Sequence, residues 1–178
     1  PQFGTGHAVQ VCKETLADFV GDIVILGGDG PLLRPSTVHD MVLLQQETSA
    51  AATLATSTIP DPTGYGRIVR DENNRFAAIV EHKNATPEQL DIHEVYPSYA
   101  VFDSTYLWSC LDDLKPNELT NEYYLTEVPG MLLDRNLTVE IVEAVAPEDI
   151  LSINTPQQLA DVEHVLLNRL QNKMEPTV

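Results

Sequence analysis

A few short stretches of this 178-residue sequence hold residue types whose spacing suits phosphate and sugar chemistry. Asp29 sits in Gly27-Gly28-Asp29-Gly30-Pro31, directly after the apolar run Asp22–Leu26. A carboxylate among glycines at a strand's end has bare backbone around it and room for a divalent ion. Mg²⁺ takes one or two carboxylates and completes its shell with substrate oxygens and water. Read alone, the same aspartate could as well stabilise its own turn. Gly4-Thr5-Gly6-His7 opens a helix, where free N–H groups can meet a carbonyl or an anion, or it is simply a glycine-rich turn. In Thr63-Gly64-Tyr65-Gly66-Arg67 glycines again allow main chain to approach a ligand, or make a tight turn. Glu81 can accept hydrogen bonds from a sugar hydroxyl or amide; the ordinary alternative is an exposed ion pair with Lys83. Asn154 is either a loop terminator or a neutral oxygen ligand that completes a metal site with Asp29.

Other chemistries find less support. His7, His39, His82, His93 and His164 have neither ligand nor triad spacing. Cys12 and Cys110 are far apart, with no Cys or His at metal spacing, and read as buried small apolar groups in a reducing compartment. There are 27 acidic residues against 10 Lys plus Arg, a formal charge of −17. Such a chain repels polyanions, which excludes nucleic-acid polymers and anionic membrane surfaces as partners. A small anionic substrate then needs a cation beside it, and Mg²⁺ is the expected one. No apolar run approaches membrane-spanning length and no basic n-region precedes one, so the expectation is a cytoplasmic protein.

The elements that must position these residues follow from periodicity. Helical spacing predicts a helix over residues 6–19, and the continuous run 22–26 predicts a strand buried on both faces. Ser36 is the expected N-cap of a helix to about Ser49, with a strand over 51–59 after it. Arg67–Arg70 and Phe76–Val80 flank an Asn-rich turn and form a hairpin. Thr86 with Pro87 starts a short helix. A strand over 94–102, helices over 104–114 and 122–134, a strand over 137–145 and a Thr155-capped helix to about Asn172 complete the series. Strands separated by helices favour an α/β fold with a mostly parallel sheet, whose ligands bind at the carboxyl ends of strands. Both unusual loops, 27–31 and 60–66, follow strands.

In this order the segments resemble one family. Gly-Thr-Gly-His-Ala (4–8), Gly-Asp-x-Pro-Leu (28–32), Pro-Thr-Gly-Tyr-Gly-Arg-Ile (62–68) and Ile-Val-Glu-His-Lys-Asn-Ala-Thr (79–86) carry the match. Glu-Tyr-Tyr-Leu-Thr (122–126) and Ile-Asn-Thr with Gln-Leu (153–159) extend it over nearly the whole chain. The sequence is similar to the uridylyltransferase (pyrophosphorylase) domain of the bifunctional bacterial enzymes that make UDP-N-acetylglucosamine for peptidoglycan. The resemblance implies a Rossmann-like nucleotide-diphospho-sugar transferase fold: a mixed, mostly parallel sheet flanked by helices, with its first strands missing. It implies that UTP and N-acetylglucosamine 1-phosphate give UDP-N-acetylglucosamine and pyrophosphate, with Mg²⁺ on Asp29 and Asn154. Asp29 would be the catalytic residue. Gly4 and Thr5 would meet the uracil, Gly28 would adjoin the metal aspartate, and Gly66 and Glu81 would hold the sugar.

The sequence departs from the family pattern in three places. The family's opening strand, glycine-rich Arg-containing loop and following Lys have no counterpart in residues 1–178, so the chain alone is expected to be weak or inactive. Its uncovered apolar sheet edge predicts homo-oligomerisation, swapping or poor solubility, or a separate N-terminal segment that covers it. Tyr96-Pro97-Ser98 stands where the family often has Asn-Thr-Gly, which puts Tyr96 at the sugar and leaves another sugar 1-phosphate, another nucleotide or a non-catalytic sugar-nucleotide-binding subunit as alternatives. Gly27 stands where some members have tyrosine. Residues 1–178 are read as one partial nucleotidyltransferase domain, without the hexapeptide repeats of the family's C-terminal left-handed β-helix.

Overall fold

The computed structural model describes residues 2–118 and 120–174. Six helices, α1 (Thr5–Gln10), α2 (Pro35–Thr48), α3 (Pro87–Leu90), α4 (Ser104–Asp113), α5 (Val128–Asp134) and α6 (Pro156–Met174), accompany one sheet. Its strands are β1 (Asp22–Leu26), β2 (Ala52–Thr58), β3 (Gly66–Arg70), β4 (Phe76–Val80), β5 (Glu94–Asp103) and β6 (Val139–Val142). Among the described residues no helix is long and apolar enough to cross a membrane.

The sheet is organised around β5. One flank of β5 pairs with β2, which pairs in turn with β6; the other flank carries β1 and β3 end to end, with β4 outside β3. β1, β2 and β3 each run antiparallel to β5, and β6 runs parallel to β2. Four strands therefore share a direction, as a parallel α/β sheet requires, but the edge strand β4 and the central β5 run against them. The ladders are consequently antiparallel except for β2 with β6, which corrects the mostly parallel pairing expected from sequence.

Period-two alternation along β5 feeds two cores. Tyr96, Ala100 and Phe102 join Leu54, Leu107, Leu111, Val128 and Leu132 beneath α4 and α5. Val95, Tyr99 and Val101 join Met41, Ala55 and Ile150 on the other face, where α2 packs. The result is a helix–sheet–helix sandwich. β1 differs from the expected strand buried on both faces. Ile23 and Ile25 pack against the first core while Val24 and Leu26 are exposed, and β1 pairs with β5 alone. A continuous apolar run therefore does not distinguish a central strand from a flanking one.

Several ends also shift. α1 stops at Gln10, and residues 11–18 continue as turns that mix i−3 and i−4 bonds, such as Cys12 N–H to Val9 O and Leu16 N–H to Cys12 O. α2 begins after Arg34 with Pro35 in its first turn, so Ser36 lies inside the helix. Residues 122–124 are extended rather than helical, and Pro129 sits at the start of α5. Cys110 is buried as expected but Cys12 is exposed.

Two contacts lock the loops that later form the site. Gly4 has φ 93°, and a Cβ there would lie 2.5 Å from the Tyr123 carbonyl oxygen. This approach lets Gly6 N–H donate to Tyr123 O (2.8 Å), Tyr123 N–H to Phe3 O (2.8 Å), and Leu125 N–H to Thr5 Oγ1 (3.0 Å). The Gly-Thr-Gly segment is thereby joined to residues 123–125. The second contact is a buried carboxylate: Asp149, side chain 1% exposed, is gripped by Arg34 Nε and Arg169 Nη2. Arg34 also reaches Glu148 at 2.8 Å, and Arg169 Nη1 donates to Leu32 O at 2.9 Å. The Asp149 carboxylate raises the Arg34 pKa above its ordinary value, first through the hydrogen bond and then through charge.

Asp149→Ala leaves guanidinium groups without their buried partner and is expected to cost about 3 kcal/mol in urea unfolding. Gly4→Ala, which combines a positive φ with a backbone clash, is expected to cost about 2 kcal/mol in the same assay.

Candidate functional site

The site lies where β1 and β3 meet end to end along β5. Leu26 is opposite Tyr99 and Gly66 opposite Tyr96, so the end of β1 faces the start of β3 across Pro97 and Ser98. The other flank of β5 bulges at the same place. Ala55 is opposite Tyr99 and Ser57 opposite Val95, so Thr56 alone faces residues 96–98. The missing N–H of Pro97 costs no ladder bond to β1 or β3 there, and Ser98 takes φ 67°. The break in the flanking row opens a cleft of about 840 Å³, reached by Gly28, Asp29, Glu81, Lys83, Tyr96 and Trp108 among others. An inner recess of about 150 Å³ shares Asp29, Glu81, Tyr96, Ser98 and Thr126 with it and adds Gly66, Tyr65 and Tyr99.

Glu81 does not pair with Lys83. Its Oε1 accepts a hydrogen bond from Thr126 Oγ1 at 3.1 Å, which aims the carboxylate into the recess. Lys83 Nζ instead donates to Tyr124 Oη at 2.9 Å and lies 5.0 Å from that ring's centre. Lys83 titrates above the usual lysine range, chiefly through the bond to Tyr124 and secondarily through Glu81 and Glu122 nearby. Among the described residues Lys83 is the one cation in the lining of the large cleft, facing Asp29, Glu81 and Glu122.

Three tyrosines ring the recess and remain phenols. Burial pushes Tyr99 up to about 12, with Asp29 adding to it. Burial raises Tyr65, again with help from Asp29, and raises Tyr96 further, with Glu81 adding to it. Tyr65 donates to Ile150 O at 3.1 Å and Tyr99 to Gly30 O at 3.4 Å. The Tyr96 hydroxyl makes no hydrogen bond among the described residues and borders both spaces, which leaves it a free donor for a ligand oxygen.

Asp29 is exposed on the loop after β1, and its carboxylate accepts no hydrogen bond among the described residues. A Cβ on Gly27 would lie 3.0 Å from Asp29 Oδ1, so the glycine gives the carboxylate its room. Ile153 N–H donates to Asp29 O at 2.9 Å, which places Asn154 on the adjoining segment. Asn154 is exposed, outside both spaces, and spends its Nδ2 on Ser152 Oγ at 3.2 Å. Its Oδ1 remains a hard oxygen donor, as does Asp29. No group of three or more His, Cys, Asp and Glu side chains able to hold a metal occurs among the described residues. Oxygen donors without a closed cage are of the type Mg²⁺ takes, since it draws its remaining ligands from substrate and water.

The structure thus brings Gly28, Asp29, Gly66, Glu81 and Tyr96 together. Thr5 borders the large cleft and, with Gly4, a side recess of about 480 Å³. Sequence reasoning missed Tyr124 and Thr126 as individual residues because residues 122–134 read as a helix. Residues 122–124 are not helical and Leu125–Glu127 form a single tight helical turn, and this break brings Glu122, Tyr124 and Thr126 to the large cleft.

No family model matches the chain. It is 37% identical over 172 residues to the bifunctional protein GlmU of Alkaliphilus metalliredigens, covering 97% of this chain and 38% of that protein. Against the GlmU proteins of Brevibacillus brevis and a Picosynechococcus species it is 38% and 39% identical, over 95% and 97% of this chain. The chain spans less than two-fifths of the length of these curated relatives. Among solved structures it is similar to a UDP-glucose pyrophosphorylase complexed with UDP-glucose, with TM-score 0.68, 14% identity, and coverage of 95% of this chain and 64% of that one. The chain is a homologue of one segment of the bifunctional GlmU proteins, built on the fold seen in UDP-glucose pyrophosphorylase.

Proposed function

We propose that this chain belongs to a sugar-1-phosphate nucleotidyltransferase that forms UDP-N-acetylglucosamine from UTP and N-acetylglucosamine 1-phosphate, with release of pyrophosphate. One observation carries the reading. The end of β1 and the start of β3 set an unpartnered carboxylate, Asp29, at the mouth of a recess holding the Glu81 acceptor and the Tyr96 donor. Similarity to GlmU proteins, and a fold shared with an enzyme bound to UDP-glucose, support it.

Each residue's part follows from its chemistry. Asp29, with Asn154 on the adjoining segment, would hold Mg²⁺, which when bound neutralises phosphate charge near the reacting α-phosphorus. Glu81, held by Thr126, accepts from sugar hydroxyl or amide groups, and Tyr96 donates to a sugar oxygen. Gly66 lets the main chain lie against the sugar, and Gly4 and Thr5 adjoin the base at the side recess. The reaction, in-line attack by the sugar phosphate on the α-phosphorus of UTP, needs positioning and charge neutralisation rather than a covalent nucleophile.

The charge of the cleft favours a second reading, a sugar-nucleotide-binding unit without turnover. Three carboxylates face one lysine, an unfavourable lining for a triphosphate without added cations.

Titration calorimetry with UDP-N-acetylglucosamine and Mg²⁺, run beside a pyrophosphate-release assay, separates the two. Binding with turnover is the expected outcome for the first reading and binding alone for the second; failure to bind the sugar nucleotide sinks both. Asp29→Ala is expected to lower turnover about 100-fold or more and remove the Mg²⁺ dependence. Glu81→Gln is expected to weaken sugar-nucleotide binding about tenfold while leaving UTP binding unchanged.

A further inference from the structure

Arg67 is the largest fully buried side chain, 1% exposed, and no carboxylate pairs with it among the described residues. A guanidinium cannot shed its proton at any ordinary pH, so a buried one must be satisfied by acceptors. Arg67 Nη1 donates to the Tyr65 carbonyl and Nη2 lies 3.1 Å from His82 Nδ1, while Nε has no partner. Because a guanidinium has donors only, His82 Nδ1 must be the acceptor, and the ring is neutral with its proton on Nε2. The bond therefore exists for one protonation state of His82.

Its position gives it a consequence for the site. Arg67 follows Gly66 and His82 follows Glu81, so the bond ties together the two strand ends that border the recess. Between them the Cβ position of Gly66 lies 4.0 Å from Glu81 Oε2. We propose that the Arg67–His82 hydrogen bond is a positioning device that sets Gly66 against Glu81 for the sugar, and that it operates only while His82 is neutral. The inference rests on the reading of the recess as the sugar's place. Arg67 and His82 are positioning residues, since neither borders the cleft or the recess.

Four charged groups bear on His82. Arg67 touches it from β3, Asp61 faces it from the loop after β2, and Glu81 and Lys83 flank it in sequence. Asp61 is exposed and already held below the usual carboxylate range, chiefly by hydrogen bonds from Thr63. Its pull on His82 is screened by water, whereas the Arg67 contact is partly buried and direct. Protonation removes the acceptor at Nδ1 and sets a second cation against the first.

The test measures UDP-N-acetylglucosamine affinity by calorimetry at about pH 8 and about pH 5, the range in which imidazole changes charge. Amide hydrogen exchange over residues 64–67 and 81–84 is followed in parallel. Wild-type affinity is expected to fall roughly tenfold at the lower pH, with lower amide protection factors in both segments once the intrinsic pH dependence of exchange is divided out. His82→Asn, which keeps an acceptor near the Nδ1 position and does not titrate, is expected to hold the high-pH affinity and slow exchange at both values. His82→Phe is expected to bind roughly tenfold more weakly at both. Wild-type affinity and exchange in His82→Phe, or an undiminished pH response in His82→Asn, would overturn the proposal. If no form binds the sugar nucleotide at either pH, the functional reading fails and the exchange arm decides alone. Acceleration in His82→Phe that His82→Asn reverses then supports the positioning role, and equal exchange in all three refutes it.

Discussion

A carboxylate with almost no access to water anchors the loops on one side of this molecule. Asp149 is stable there only because two guanidinium groups converge on it, one from the loop before α2 and one from α6. The convergence has a structural product. Leu32 O is held by the same Arg169, and the Asp29 carbonyl is held by Ile153 N–H, four residues beyond Asp149. The glycine-rich loop after β1 would otherwise have little to fix it, since glycines lose the most freedom on ordering. A buried ion triad is not a strong source of net stability. Its value here is specificity of placement, because it admits one arrangement of three chain segments.

The other determinant of the site is the reversed central strand. β5 is long enough to carry two neighbours in succession on one flank, and the two do not touch. The site is the interval between them. A bulge, a proline and a left-handed serine fall at that interval, where an unbroken ladder would exclude them. Irregular backbone has been confined to the one stretch of β5 that has no strand to pair with on that side.

Much of this was legible from the sequence. Nearly every strand and helix was placed within a few residues, because alternation, caps and turn residues agreed at each step. Thr86 starts the short helix expected there, with Gln89 completing a capping box, and Asp71–Arg75 makes the expected hairpin turn. The loops after β1 and β2 do converge. What local pattern could not supply was pairing direction, since β5 reads the same forwards and backwards. Nor could it supply long-range partners. Glu81 and Lys83 look like an ion pair two residues apart, yet each is claimed by a residue at the entry to the helical turn before α5, Thr126 and Tyr124. Nothing in the sequence around Asp149 or Arg67 announces that the fold closes over them.

Only two cysteines occur, and the fold treats them oppositely. Cys110 is fully buried on the inner face of α4, and burial pushes its thiol up in pKa. Cys12 is exposed and borders the large cleft, beside the residues that face Asp29 and Tyr96. Thiol chemistry can therefore address a single position in this chain. A small fluorophore attached at Cys12 would sit at the rim of the proposed nucleotide cleft, and its emission would report occupancy directly. The molecule carries its own site for an optical reporter.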